Sequence, residues 1–216
     1  MTEYMTEQEQ IEQLKNWVKQ YGLTIIAGVL MAVIIISSWH AWQRYQTNIL
    51  LHASSTYDEM LTLKAQNDSK GAMVQADKLL THYPRTPYAQ MAAFLIARDA
   101  IANKQYAEAT KQLTWVLDHS HNRPVIAIAN LRIARIELAL KKPEDAIKTL
   151  NKVKDKSFKG MADEVKGDAY LSMNSIDKAK EAYKQAIQEL PTEEATRKPI
   201  LQMKIDNLAT VSDITL

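Results

Sequence analysis

Apolar and polar positions follow three successive patterns along the chain. Residues 1–22 are mostly polar, with Ile11, Leu14, Trp17 and Val18 forming a thin stripe at helical spacing. Thr6 and Glu9 stand three apart, as in a capping box, so this part is predicted to form a short amphipathic helix or a solvated tail lying on a membrane. From Leu23 to Ile36 the pattern closes up: there is no charge, and Thr24 is the one polar side chain. Beyond residue 43 helical stripes alternate with short polar joints to the end of the sequence.

The middle pattern predicts a transmembrane helix over 23–42. Leu23 to Trp39 gives about 26 Å of helix, the lower end of what crosses a hydrocarbon core. Trp17 and Tyr21 precede it and Trp39, Trp42 and Tyr45 follow it, where aromatic belts sit at two membrane interfaces. A core helix of a soluble domain seldom runs this far without a charge. A cleaved signal peptide starts with a short basic region, whereas Glu3, Glu7, Glu9 and Glu12 outnumber Lys15 and Lys19 here, and no A-x-A-like site follows Ile36. Lys15 and Lys19 on one flank against Arg44 on the other bias the N-terminus toward the cytoplasm. The expectation is a single-pass signal anchor with residues 43–216 outside the cytoplasm.

The third pattern repeats. Ala109, Ala146 and Ala179 each open a helix, and twelve positions before each stands a small residue, Ala97, Ala134 or Gly167. Leu113, Leu150 and Tyr183 follow four later, and Pro191 stands twelve beyond Ala179. Two small residues twelve apart let paired antiparallel helices cross closely, as in a tetratricopeptide repeat. Counting back twelve from Pro84 gives Ala72, then Ala76 and Leu79, so a fourth, degenerate repeat precedes the others. The predicted repeats span about 53–84, 90–121, 127–158 and 160–191. A closing helix over 193–209 offers Ile200, Leu201, Met203, Ile205 and Leu208 to cover the last one. No proline occurs before Pro84, which lets the membrane helix continue through Tyr45 and Leu51. The fold class expected is all-α: a single N-terminal transmembrane helix, then a tetratricopeptide-like helical repeat domain with a C-terminal capping helix.

Charge and composition narrow the function. Residues 43–216 carry 25 Lys+Arg and 21 Asp+Glu, a net +4, and the first 42 residues carry 2 and 4, a net −2. Basic and acidic residues interleave, which gives no nucleic-acid footprint. There is no cysteine, which excludes thiol catalysis, zinc-thiolate sites and lipoprotein anchoring. His119 and His121 flank Ser120, but the pair lacks further ligands and reads as exposed loop residues. His40 belongs among the interfacial tryptophans. No nucleophile elbow or phosphate loop occurs. No catalytic, cofactor-binding or metal-binding residue is expected.

The informative surface is the inner stripe of each repeat's first helix. In register it carries Met91, Phe94, Arg98 and Ile101; then Ile128, Leu131, Arg135 and Leu138; then Met161, Glu164, Asp168 and Leu171. Two readings stand side by side. The stripe lines a groove for extended or helical segments of other proteins, with the arginines holding carboxylates or carbonyls. Alternatively it packs internally, with Arg98 and Arg135 paired to Asp168 and Glu164.

The order of the parts resembles the bacterial YfgM family. The acidic start "EQEQIEQLKNWVKQYG", the anchor ending "SSWHAWQRY", "NLRIARIELALKKPEDAIKTLNKVK", "GDAYLSMNSIDKAKEAYKQAI" and the terminal "QMKIDNL" carry the likeness over nearly the whole chain. One departure is Ser38, where the family pattern has Gly. The resemblance implies a Gram-negative inner-membrane protein with a periplasmic tetratricopeptide-like domain. It further implies association with the SecYEG translocon, a neighbouring PpiD-like chaperone, contact with membrane lipid, and help to unfolded or newly exported polypeptides on their way to folding factors. The family offers no catalytic residues. The competing reading is an envelope scaffold or signalling adaptor that recruits mature envelope proteins or a cytoplasmic regulator.

Overall fold

A computed structural model describes residues 7–190 and 196–214, and within these the structure is helical throughout, with no strand. The helices are α1 (Glu7–Ala65), α2 (Ser69–His82), α3 (Pro87–Ala102), α4 (Tyr106–His119), α5 (Arg123–Ala139), α6 (Pro143–Leu150), α7 (Lys159–Ser172), α8 (Ile176–Glu189) and α9 (Lys198–Ile214). The chain forms two compact units, Met1–His52 and Ala53–Leu216. The expected capping box at Thr6, the helix stop at Pro191 and the first residues of the closing helix, 193–195, lie outside the described residues.

The first unit contains only helix α1 among its described residues. Its apolar run is bare: Leu23 is 82% exposed, and every large apolar side chain from Ile25 to Ile36 is exposed with it. In water this surface would be strongly unfavourable, at about 25 cal/mol per Å². The helix is long and apolar enough to cross a membrane. Aromatic pairs mark both ends of the run, Trp17 with Tyr21 at 6.0 Å between ring centroids and Trp39 with Trp42 at 5.6 Å.

The second unit starts at Ala53, which is fully buried, so residues 43–52 fall with the first unit rather than with the repeats. Ala53 and Met60 of α1 pack with Ala72, Ala76 and Leu79 of α2 and Ala89 and Ala92 of α3. Three further helix pairs follow, α3 with α4, α5 with α6 and α7 with α8. The small residues twelve apart sit at the crossings. Ala97 and Ala109 share one core cluster, Ala134 and Ala146 the next. Gly167 faces Tyr183, whose ring occupies the space where a side chain at 167 would stand.

The turns inside the four pairs share one backbone device. Asn67, Lys104, Lys141 and Asn174 take φ values of 62°, 58°, 59° and 57°. Each lies five residues before one of the register alanines 72, 109, 146 and 179. The next residue's N–H donates five positions back, as in Asp68 to the Leu63 carbonyl (2.9 Å) and Lys142 to Glu137 (2.9 Å). That is the left-handed helix stop in which orphan carbonyls are satisfied before the chain reverses. New helices start on Pro87, Pro124 and Pro143 in their first turns, where no amide hydrogen is needed. Leu201, Ile205 and Leu208 of α9 cover Ala179, Tyr183, Ala186 and Leu190 of α8 and the segment after it.

Candidate protein-binding surface

The twelve stripe residues have three different fates. Met91 is 48% exposed, Leu171 is exposed, and Ile128 is half-buried. Ile101 and Leu138 are half-buried against neighbouring cores, and so is Met161. Leu131 is 3% exposed and packs with Ala134, Leu150 and Val165, so it belongs to the core and presents nothing to a ligand. The period put it on the stripe, but α6 and α7 fill the space it points into.

Glu164 and Asp168 are likewise withdrawn, into an ionic network with the closing helix. Glu164, with its side chain 12% exposed, accepts from Lys204 at 3.1 Å and from Arg197. Asp168 accepts from Lys204 at 2.7 Å and from the Tyr183 hydroxyl at 2.7 Å. Burial pushes the Glu164 carboxyl up, but Lys204 and Arg197 outweigh it and hold the group below the usual carboxylate range. For Lys204 burial works downward, and hydrogen bonds to Asp168 and Glu164 reverse the sign and raise it. Burial, then Asp168, raises the Tyr183 hydroxyl, which stays protonated and donates. These carboxylates are therefore not the partners of Arg98 and Arg135.

The arginines gather elsewhere. Arg98 on α3 and Arg132 and Arg135 on α5 line a cavity of about 320 Å³ whose remaining wall includes Ile101, Tyr106 and Ile136. Arg98, with a side chain 64% exposed, donates to Asp99 from Nε (3.3 Å) and Nη2 (3.2 Å), and Asp99 also takes Lys64. Arg132 lies over the Phe94 ring, 4.7 Å from its centroid, which fixes the guanidinium and joins α3 to α5. Burial, then Arg135 and Arg98, lowers the proton affinity of Arg132. Neither Arg132 nor Arg135 has a carboxylate partner among the described residues. Arg132 was not on the expected stripe. The available signal was its position three before Arg135, which puts both on one face of a helix.

His119 and His121 differ in their surroundings. His119 Nδ1–H donates to the Trp115 carbonyl (2.9 Å) and its ring stacks on Trp115 at 4.2 Å, so it closes α4 rather than hanging in a loop; His121 is exposed. Among the described residues no group of three His, Cys, Asp or Glu could hold a metal ion.

The family model described as a tetratricopeptide repeat-like domain matches residues 15–210. The chain belongs to this family. The match reaches back across the apolar run, so a single family model covers both the apolar helix and the repeats of this tetratricopeptide repeat-like protein. A Haemophilus influenzae protein named ancillary SecYEG translocon subunit is 27% identical over 202 residues, 94% of this chain and 97% of that protein. An Escherichia coli protein of the same name is 25% identical over 206 residues, 95% and 98% of the two chains. The crystal structure of MamA protein shares the fold with a TM-score of 0.51 at 17% identity, over 73% of this chain and 86% of that one.

Proposed function

We propose that this protein is a non-enzymatic, membrane-anchored protein-binding module that works beside the SecYEG translocon. The observation that carries the reading is the end-to-end likeness to proteins named ancillary SecYEG translocon subunit, anchor included. The anchor sits in the inner membrane with residues 1–22 in the cytoplasm and the repeats in the periplasm, as Lys15 and Lys19 favour. Met91, Phe94 and the arginine cavity form the contact surface for newly exported polypeptides, which pass on to a PpiD-like chaperone. Tethering at the channel exit supplies a high local concentration of emerging chain, so individual contacts need only be weak.

Site-specific photocrosslinking from position 91 in intact cells tests this reading. Capture of channel subunits and newly exported chains is expected. Capture restricted to a fixed set of mature envelope proteins would instead assign the module to an envelope scaffold.

A further inference from the structure

Counted from Ile11 in alternating steps of three and four, every position of α1 as far as Trp42 is apolar or glycine. The count then meets Gln46 and goes on to Ala53, Met60 and Leu63. A sustained three-four spacing is the seam of a left-handed helix pair. From Ala53 onward the protein's own α2 and α3 fill that seam. From Ile11 to Trp42 every residue on it is exposed. Inside a bilayer exposed apolar residues need no cover, but Ile11, Leu14, Val18 and Tyr21 precede the apolar run. Helix α1 is unbroken from Glu7 to Ala65, so this stripe continues the membrane helix into water and does not turn to lie along the lipid. Bare in water, it is unfavourable, and a protein surface is what covers it.

We infer that α1 pairs with α1 of a second copy of this chain, in parallel and in register, along the seam from Ile11 to Trp42. Copies inserted in one orientation meet layer for layer, so Gly28 faces Gly28 and Ala32 faces Ala32 within the bilayer. Small residues let two membrane helices approach closely, and a side chain at Gly28 would meet nothing in its own chain. The charges suit a copy. Glu9, Glu12, Lys19 and Arg44 stand at positions turned away from the seam, and Lys15, on its edge, faces the uncharged Gln10 of the second copy. Pairing ends before Ala53, where α2 and α3 take over the seam, and the bulky Trp39 and Trp42 and the polar Gln46 mark the change. Two repeat domains then share one anchor pair, which multiplies weak contacts. The pairing itself is independent of what the repeats bind.

The chain has no cysteine, so each single substitution gives one thiol per copy. Leu14→Cys and Val18→Cys put it on the seam, and Gln13→Cys and Asn16→Cys put it off the seam, all at exposed positions. The full-length variants, at their natural level in isolated membranes opened on both faces, are treated with an oxidant and separated without reductant. A disulfide-linked dimer should form several-fold more at positions 14 and 18 than at 13 and 16, where paired Cα atoms lie beyond the roughly 7 Å that a disulfide bridges. Gly28→Ile, which adds bulk where its own chain leaves room, should lower linking from Leu14→Cys several-fold with the protein still in the membrane fraction. Equal linking at all four positions, no linking at 14 and 18, a linked product that contains a different protein, or linking unmoved by Gly28→Ile would overturn the self-pairing.

Discussion

At the scale of single residues, position and backbone conformation decide more than residue type. Gly167 is required because the Tyr183 ring lies where its Cβ would be. Gly167→Ala should cost about 1–3 kcal/mol through overpacking, seen as a lower melting temperature, and a neutral result would mean that the two helices do not cross here. That need was legible in the sequence, since Gly167 and Ala179 keep the twelve-residue spacing of their counterparts. The left-handed stops at Lys104 and Lys141 were not, because neither residue type advertises positive φ. Lysine is strained in that conformation by about 1–2 kcal/mol. Lys141→Gly should therefore stabilise the protein by about 0.5–1 kcal/mol, after allowing for the freer unfolded chain, and raise the melting temperature by about 2 °C. A fall would contradict the left-handed assignment.

At the scale of elements, the closing helix is the part whose partners sequence periodicity could not supply. Ile200, Leu201, Met203, Ile205 and Leu208 were expected to cover the last repeat; Leu201, Ile205 and Leu208 are buried there, while Ile200 and Met203 are exposed. The ionic half was invisible. The repeat register orders α7 against α8, but it says nothing of Arg197 and Lys204, which reach Glu164 from 33 and 40 positions away. The same blindness put Glu164 and Asp168 on a groove. Glu164 sits below its ordinary value, so its stabilisation is complete above the usual carboxylate pKa, about 4.3, and is lost as pH falls through the lower folded value. Lys204 sits above its ordinary value, so its share is complete below about 10.4 and is lost as pH rises through the raised one. Protection factors of the α9 amides, with the pH dependence of intrinsic exchange divided out, should be high and flat through neutral pH and fall at both extremes. Glu164→Gln should weaken α9 protection by about 1–2 kcal/mol at pH 7. Protection unchanged in the variant would show that apolar packing alone holds the helix.

At the scale of the whole molecule, the proposed function depends on where the repeats are held. The anchor was plain in the sequence because fourteen residues without a charge leave little else, and the structure leaves their side chains bare. The repeat register starts the first repeat at about residue 53, and Ala53 is where helix α1 becomes buried; no break in residues 43–52 marks that boundary along the continuous helix. Val29→Asp separates a membrane helix from a surface helix. On a surface helix in water an exposed Val29→Asp change is nearly neutral, whereas at mid-bilayer it costs about 2.5–3.5 kcal/mol, so the membrane-bound fraction should fall. The most direct measurement is protease added to spheroplasts, followed by detection of both ends of the chain. Digestion of the region beyond Arg44, leaving a membrane-bound N-terminal fragment that keeps residues 1–22, is the expected result. Protection of that region until the membrane is dissolved, or a mature chain released without its first forty residues, would contradict a tethered periplasmic binding module.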